Sequence, residues 1–284
     1  MKNISIITDG SCDIPVEVID KYDIKLIPLH FHFEDNIEYG SERMMDSEEF
    51  YRRLANGEIA KTSASSPSSA MDLLKAELDK GNDVICVALS SSLSCTFNNI
   101  RLACLELLDS YPDQRITVID SLTASMAMGM MVIKACMMRD EKYSYDQIVD
   151  YLNETKHSYH VEFYVNDLHY LARGGRLNPA IAKIGGIIGI KPILSVTDNG
   201  TIESVCKARK TSGAIKQLKD RFLTSSTEKE MICILHSNNL DRALTLKADL
   251  ELDQHFSQVF FTEIGPSIGS HTGPGCLGLA YLKN

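Results

Sequence analysis

Three hydroxyl-rich stretches carry most of the residues able to do chemistry. TDGSCD offers Asp9, Ser11 and Asp13; KTSASSP offers Thr62 and Ser63; SSSLSCT offers Ser90, Ser91, Ser92, Ser94 and Thr96. Small hydroxyls beside free backbone N–H groups at helix starts make an anion site, although the same residues also serve as plain helix caps. Two later stretches can close such a site from above: ARGGR with Arg173 and Arg176, and the loop GSHTGPG with Ser270, His271 and Thr272. The second runs into a formal G-x-G-x-x-G at Gly273, Gly275 and Gly278. A dinucleotide fingerprint needs a strand before it, a helix after it and an acidic residue about 20 positions on. LAYLKN follows instead and reads as a short strand, so a dinucleotide is excluded. The eight cysteines are scattered without C-x-x-C and the histidines without H-x-x-x-H. Buried reduced thiols are expected, and no metal site or cofactor.

The elements that must position these residues follow from periodicity. In the first half a short apolar strand, a Ser/Thr/Asp/Gly turn and an amphipathic helix recur: NISIITD to VEVIDKY, DVICVALS to CTFNNIRLACLELLDSY, RITVID to MAMGMMVIKACMMRDE. Such alternation predicts a mainly parallel sheet with helices on both faces, its turns gathered at the C-terminal strand edge. Ser66 with Pro67 predicts a capped helix start. The second half reads as α+β: a strand at 161–165, a short helix NDLHYLA, a hairpin turned at Asn199-Gly200, helices near 211–224 and 239–252, and strands MICILHS and VFFTEIG. The fold class expected is α/β, with an N-terminal mainly parallel domain over residues 1–158, a C-terminal α+β domain over 159–284 and a ligand between them. PAIAKIGGIIGI carries small residues at 180, 182, 185, 186 and 189, which leave room for a ligand tail or for close helix packing.

With 44% hydrophobic residues over 284 positions the chain fills a globular core. A formal charge of −9 argues against nucleic acid as a partner. No apolar run approaches the roughly 18 residues of a membrane span, and the start shows no signal-peptide pattern, so a soluble cytoplasmic protein without an integral membrane segment is expected.

TDGSCDIP, KTSASSPS, SSSLSCTF, VIDSLTASMAMG, VNDLHYLARGGRL, KPIL, KARK and IGSHTGPGCLGL follow in order, over essentially the whole chain, the motifs of the DegV family of bacterial fatty-acid-binding proteins, which the sequence therefore resembles. The resemblance implies a two-domain α/β protein that buries one long-chain fatty acid between its domains. It further implies presentation of the carboxylate to a separate ATP-dependent fatty-acid kinase, whose acyl phosphate enters phospholipid synthesis. The protein itself would not be catalytic, and transient membrane contact would serve lipid exchange. By position, Thr62, Ser94 and His271 resemble the carboxylate binders, with Ser63, Ser92, Arg173 and Ser270 nearby. A carboxylate beside His271 is expected to favour its imidazolium form. Arg209 in KARK resembles a basic residue that meets the kinase. Cys95 departs from the usual glycine, Gly10 from a frequent serine, and KARKTSGA is less basic than the pattern.

A Ser/His hydrolase of acyl esters, using Ser94, His271 and Asp9 or Asp120, is the alternative. It lacks a G-x-S-x-G elbow. A kinase in its own right lacks a phosphate-binding G-x-x-x-x-G-K-[ST] loop.

Overall fold

A computed structural model describes residues 2–35, 37–40, 43–177, 189–225 and 227–283. Its first sheet is built from the apolar runs read in the sequence. Strands β1 (Ile4–Asp9), β2 (Lys25–Ile27), β6 (Asp83–Ala88) and β7 (Ile116–Asp120) lie parallel in the order β2-β1-β6-β7. All six residues of β6 are buried, as expected of a central parallel strand covered on both faces. Ser66 caps the helix Pro67–Leu78 by accepting from the Ser69 N–H at 3.1 Å, with Pro67 at the first helical position.

A small antiparallel sheet was not expected. Strands β3 (His30–His32), β4 (Glu38–Tyr39) and β5 (Lys61–Ser63) pair in the order β4-β3-β5. The KTS segment is therefore a strand and not a turn of the parallel sheet. Three-residue strands are too short to show a period.

The third sheet holds β8 (Tyr159–Tyr164), β9 (Ile190–Val196), β10 (Ile202–Arg209), β11 (Thr227–His236), β12 (Gln258–Glu263) and β13 (Leu277–Lys283), in the order β10-β9-β8-β13-β11-β12. β11 and β12 are parallel and the other pairs antiparallel. β9 and β10 form the expected hairpin, with Gly200 at φ +75° in its turn. The helix expected over 239–252 is two, Leu240–Asp249 and Leu252–His255, separated by Glu251 in the left-handed region.

The helix Ser125–Asp140 joins the sheets. It packs on β1 and β6 on one side and on β8, β11 and β13 on the other. Every residue from Ser125 to Ile133 is buried. The expectation of an amphipathic helix is thus corrected: a helix covered all round needs apolar residues all round, and its methionines adapt their shape to both sheets. One hydrophobic core consequently includes Ile6, Val87 and Met131 together with Val161, Phe163 and Leu235.

Candidate functional site

The turns at the C-terminal edge of the parallel sheet are held by acids, Asp9 buried and Asp120 and Asp13 half-buried. Asp9 accepts from the Ser11 N–H at 3.0 Å, the Ser11 hydroxyl at 2.5 Å and the Leu89 N–H at 2.8 Å, tying the β1 turn to the β6 turn. Asp120 accepts from the Ser91 and Leu122 N–H groups at 3.1 and 3.2 Å, tying the β6 turn to the β7 turn. Burial pushes the Asp9 pKa up against these hydrogen bonds. Asp13 accepts from the Ser125 hydroxyl and from the Gly265 N–H. Burial, opposed by those two bonds, pushes its carboxyl up to about 7.

Above this edge a cavity of about 860 Å³, its solvent-facing mouth included, lies between the sheets. Leu29 and Leu89 line it from one side, and Phe163, Val196, Ile202 and Leu235 from the other. Its polar wall gathers Thr62, Ser94, Arg176 and His271. Thr62, on β5, has its hydroxyl 2.9 Å from Nε2 of His271. Arg176 donates from Nε to the Leu93 carbonyl at 2.9 Å and from Nη1 to the Gly174 carbonyl, so it braces the turn that ends at Ser94. The Ser94 hydroxyl lies 2.9 Å from that of Thr96 and accepts from the Thr96 N–H at 3.2 Å. It thus takes the N–H of the first residue of the helix Thr96–Leu108 and lines the cavity.

His271 does not sit in a loop. It falls in the last turn of the helix Pro266–Thr272, whose seven residues are too few for a hydrophobic period to reveal. Gly273 (φ +67°) ends that helix, Gly275 (φ +84°) turns the chain into β13, and Gly278 lies within the strand. The glycines follow a helix and precede a strand, the reverse of a dinucleotide fingerprint. Nδ1 of His271 is buried without a partner, and Gly174 packs against it so closely that a Cβ there would lie 2.2 Å from Nδ1. A buried N–H without an acceptor is the costlier orphan, so the proton belongs on Nε2, donated to the Thr62 oxygen. The Thr62 hydroxyl is then free to donate into the cavity. Burial first, then Arg176 and Arg173, push the His271 pKa down to about 4, so the ring is neutral near pH 7.

Thr62, Ser94 and His271 thus line one cavity, and Ser63 joins them. Three neighbours do not. The Ser92 hydroxyl turns away to the Asn199 carbonyl at 2.7 Å. The Ser270 hydroxyl is spent on the Pro266 carbonyl at 2.7 Å, within its own helix. Arg173 is exposed over the Tyr170 ring, 5.0 Å from its centroid, and Arg176 is the arginine that lines the cavity. Both arginines were legible as a pair; which one faces inward depends on the turn through Gly174. Thr272, read from the sequence as part of the segment that closes the site, also lines the cavity; so does Ser267, which was not singled out from the sequence. Arg209 is exposed at the end of β10. Cys95 has φ −72° and ψ −3°, ordinary right-handed values, with its side chain outside, so the missing glycine does not strain the turn. The small residues at 180, 182, 185 and 186 lie outside the described residues; Gly189 is described, at φ +82°.

A hydrolytic relay is not assembled. His271 Nε2 faces Thr62, Ser94 pairs with Thr96, and Asp9 and Asp120 hold backbone amides. Among the described residues no helix is long and apolar enough to cross a membrane.

Comparison with known proteins gives one consistent match. The description "Uncharacterised protein, DegV family" fits residues 3–284. A DegV domain-containing protein of Clostridium perfringens is 31% identical over 287 aligned positions, covering 99% of this chain and 98% of its own. Another from Listeria monocytogenes is 33% identical over 286, covering 99% and 98%. Among solved structures, a fatty-acid-binding DegV family protein from Thermus thermophilus superposes with a TM-score of 0.89 at 25% identity, over 99% of this chain and 100% of that one. DegV of Bacillus subtilis, a fatty acid binding protein, gives a TM-score of 0.85 at 29% identity over the whole of both chains.

Proposed function

The chain belongs to the DegV family, and from that premise we propose that it binds one long-chain fatty acid in the cavity between its sheets and presents the carboxylate to a separate ATP-dependent fatty-acid kinase. In this reading residues 1–158 supply the hydroxyl turns and residues 159–284 cover the ligand. The observation that carries it is a cavity between the sheets with largely apolar walls whose polar side chains include Thr62, Ser94, Arg176 and His271. Each methylene of an acyl tail withdrawn from water contributes about 0.8 kcal/mol, so a C16 tail supplies ample driving force even after ordering costs. The carboxylate takes the free Thr62 proton and the Ser94 hydroxyl, while Arg176 supplies positive charge nearby.

The chain contributes binding and orientation, and the kinase contributes the chemistry. Arg209 stands on the surface, suited to the kinase encounter. Thr62→Val and Ser94→Ala test the head group. A hydrogen bond to a charged group is worth about 1.5–3 kcal/mol, so each variant is expected to slow kinase-coupled acyl-phosphate formation roughly tenfold or more while still taking up palmitate. Wild-type turnover in both variants would reduce these hydroxyls to helix caps and packing groups.

A further inference from the structure

The β9–β10 hairpin reaches across the cavity to the serine turn of the other sheet. Its base is fixed, because the helix Lys210–Thr224 packs on both strands. Below the tip, β9 registers with β8 at Ser195–Glu162 and Leu194–Phe163, the Ser195 hydroxyl donates to the Val161 carbonyl at 2.9 Å, and β10, the last strand of the sheet order, meets Leu177 through a parallel bridge at Ile202. Val196 and Ile202, paired with each other just below the tip, are both cavity walls. The tip itself is fastened by side chains. The buried Ser90 hydroxyl donates to the Gly200 carbonyl at 2.9 Å, and the Ser92 hydroxyl donates to the Asn199 carbonyl at 2.7 Å. Gly200 lies so close that a Cβ there would come within 2.1 Å of the Ser90 oxygen. Leu122, held at φ +51°, sits against the same glycine, 3.3 Å from where that Cβ would be.

Ser90 also organises the carboxylate turn. Its carbonyl accepts from the Leu93 and Ser94 N–H groups at 3.0 and 3.1 Å, and its hydroxyl accepts from the Ser92 N–H at 3.3 Å. One residue therefore touches both the strap over the cavity and the turn that presents Ser94. We propose that the Asn199–Gly200 tip is a clasp that closes the hairpin over the cavity and seats the Ser94 turn in the same movement, with Ser90 and Ser92 as its positioning residues. What the clasp retains rests on the fatty-acid reading above; the clasp itself rests on the hairpin contacts. Opening it breaks the two hydroxyl-to-carbonyl bonds and the Leu177–Ile202 bridge and moves Val196 and Ile202 outward, which gives the tail a route that leaves the rest of the fold intact.

Ser92 is exposed, so Ser92→Ala keeps the fold, and Ser92→Thr keeps the hydroxyl. Losing one neutral hydrogen bond changes an opening equilibrium roughly fivefold. Release of bound oleate to lipid vesicles is expected to speed up about fivefold in Ser92→Ala, more in Ser90→Ala/Ser92→Ala, and to return to the wild-type rate in Ser92→Thr, with Ser92→Ala still unfolding cooperatively at a midpoint lowered by no more than the loss of that one bond. Gly200→Ala should open the clasp from the other side, and adding Ser90→Ala to it should speed release little further, because both act on one contact. Amide hydrogen exchange at Leu93 and Ser94 of the ligand-free chain, whose N–H groups the Ser90 carbonyl holds, reads the seating of that turn without any lipid: faster exchange in Ser92→Ala and the double variant supports the clasp, and unchanged exchange overturns it. Oleate release at the wild-type rate in the double variant likewise overturns it. A wild-type chain that takes up no oleate defeats the fatty-acid reading, and the exchange result still decides the clasp.

Discussion

His271 shows how a residue's surroundings set its chemistry. Without a ligand its pKa lies near 4, because burial and the charges of Arg176 and Arg173 disfavour a further positive charge. A carboxylate set beside it opposes that and raises the bound-state value. Binding therefore takes up protons between about pH 4 and the bound-state pKa, and weakens as pH rises through that window. Calorimetry in buffers of different ionisation enthalpy should show uptake in mildly acid solution, absent in His271→Ala; equal uptake in both removes His271 from the carboxylate. The same lowered pKa makes His271 costly to the fold in acid: its contribution is full above the unfolded value near 6.5 and is lost as pH falls through about 4. Asp13 has the opposite sign. Its carboxyl, raised to about 7 by burial, holds a proton that the unfolded chain gives up near 4, so its contribution is full below about 4 and lost as pH rises through about 7. Urea unfolding at several pH values should show wild type gaining on Asp13→Asn as the buffer is taken from pH 8 to pH 5. Thr62, Ser94 and His271 were legible because hydroxyls and a histidine among glycines stand out from an apolar sequence. Which of Ser92 and Ser94, and which of Arg173 and Arg176, lines the cavity was not legible, because one residue of rotation decides whether a side chain faces the cavity or the surface.

Elements hold these residues in place, and the briefest ones were the least legible. The parallel strands and the Asn199-Gly200 hairpin announce themselves through runs of buried residues and turn chemistry. β3, β4 and β5 do not, since two or three residues carry no period, and Thr62 owes its position to β5. The helix Ser125–Asp140 looked amphipathic in isolation; only the second sheet explains why its outer face is apolar too. The helix Pro266–Thr272 and the turn at Gly174 act as a pair, with the glycine giving the His271 ring its room. Gly174→Ala places a methyl 2.2 Å from Nδ1 and must move the ring off Thr62. We expect this variant to lose fatty-acid affinity by roughly tenfold, on the scale of one charge-assisted contact, and its nitrogen chemical shifts to report a changed His271 environment. Wild-type affinity with an unmoved ring would separate His271 from the site.

At the scale of the whole molecule, two sheets share one core through a helix buried between them, and the cavity opens where that shared core gives way to the hydroxyl turns. The pairing of largely apolar walls with the polar side chains of Thr62, Ser94, Arg176 and His271 is what makes the cavity suit an amphipathic ligand, and the central claim is that such a ligand is a fatty acid held one per chain. Ligand bound only to the folded state adds stability by mass action, so the loaded protein should unfold at a higher temperature than the stripped one. The most direct measurement is mass spectrometry of the purified protein, native for stoichiometry and after denaturing extraction for identity. The account predicts close to one long-chain fatty acid per chain, recovered on adding palmitate or oleate to stripped protein. Extracts free of fatty acid, together with no uptake of either lipid by the stripped chain, would contradict it.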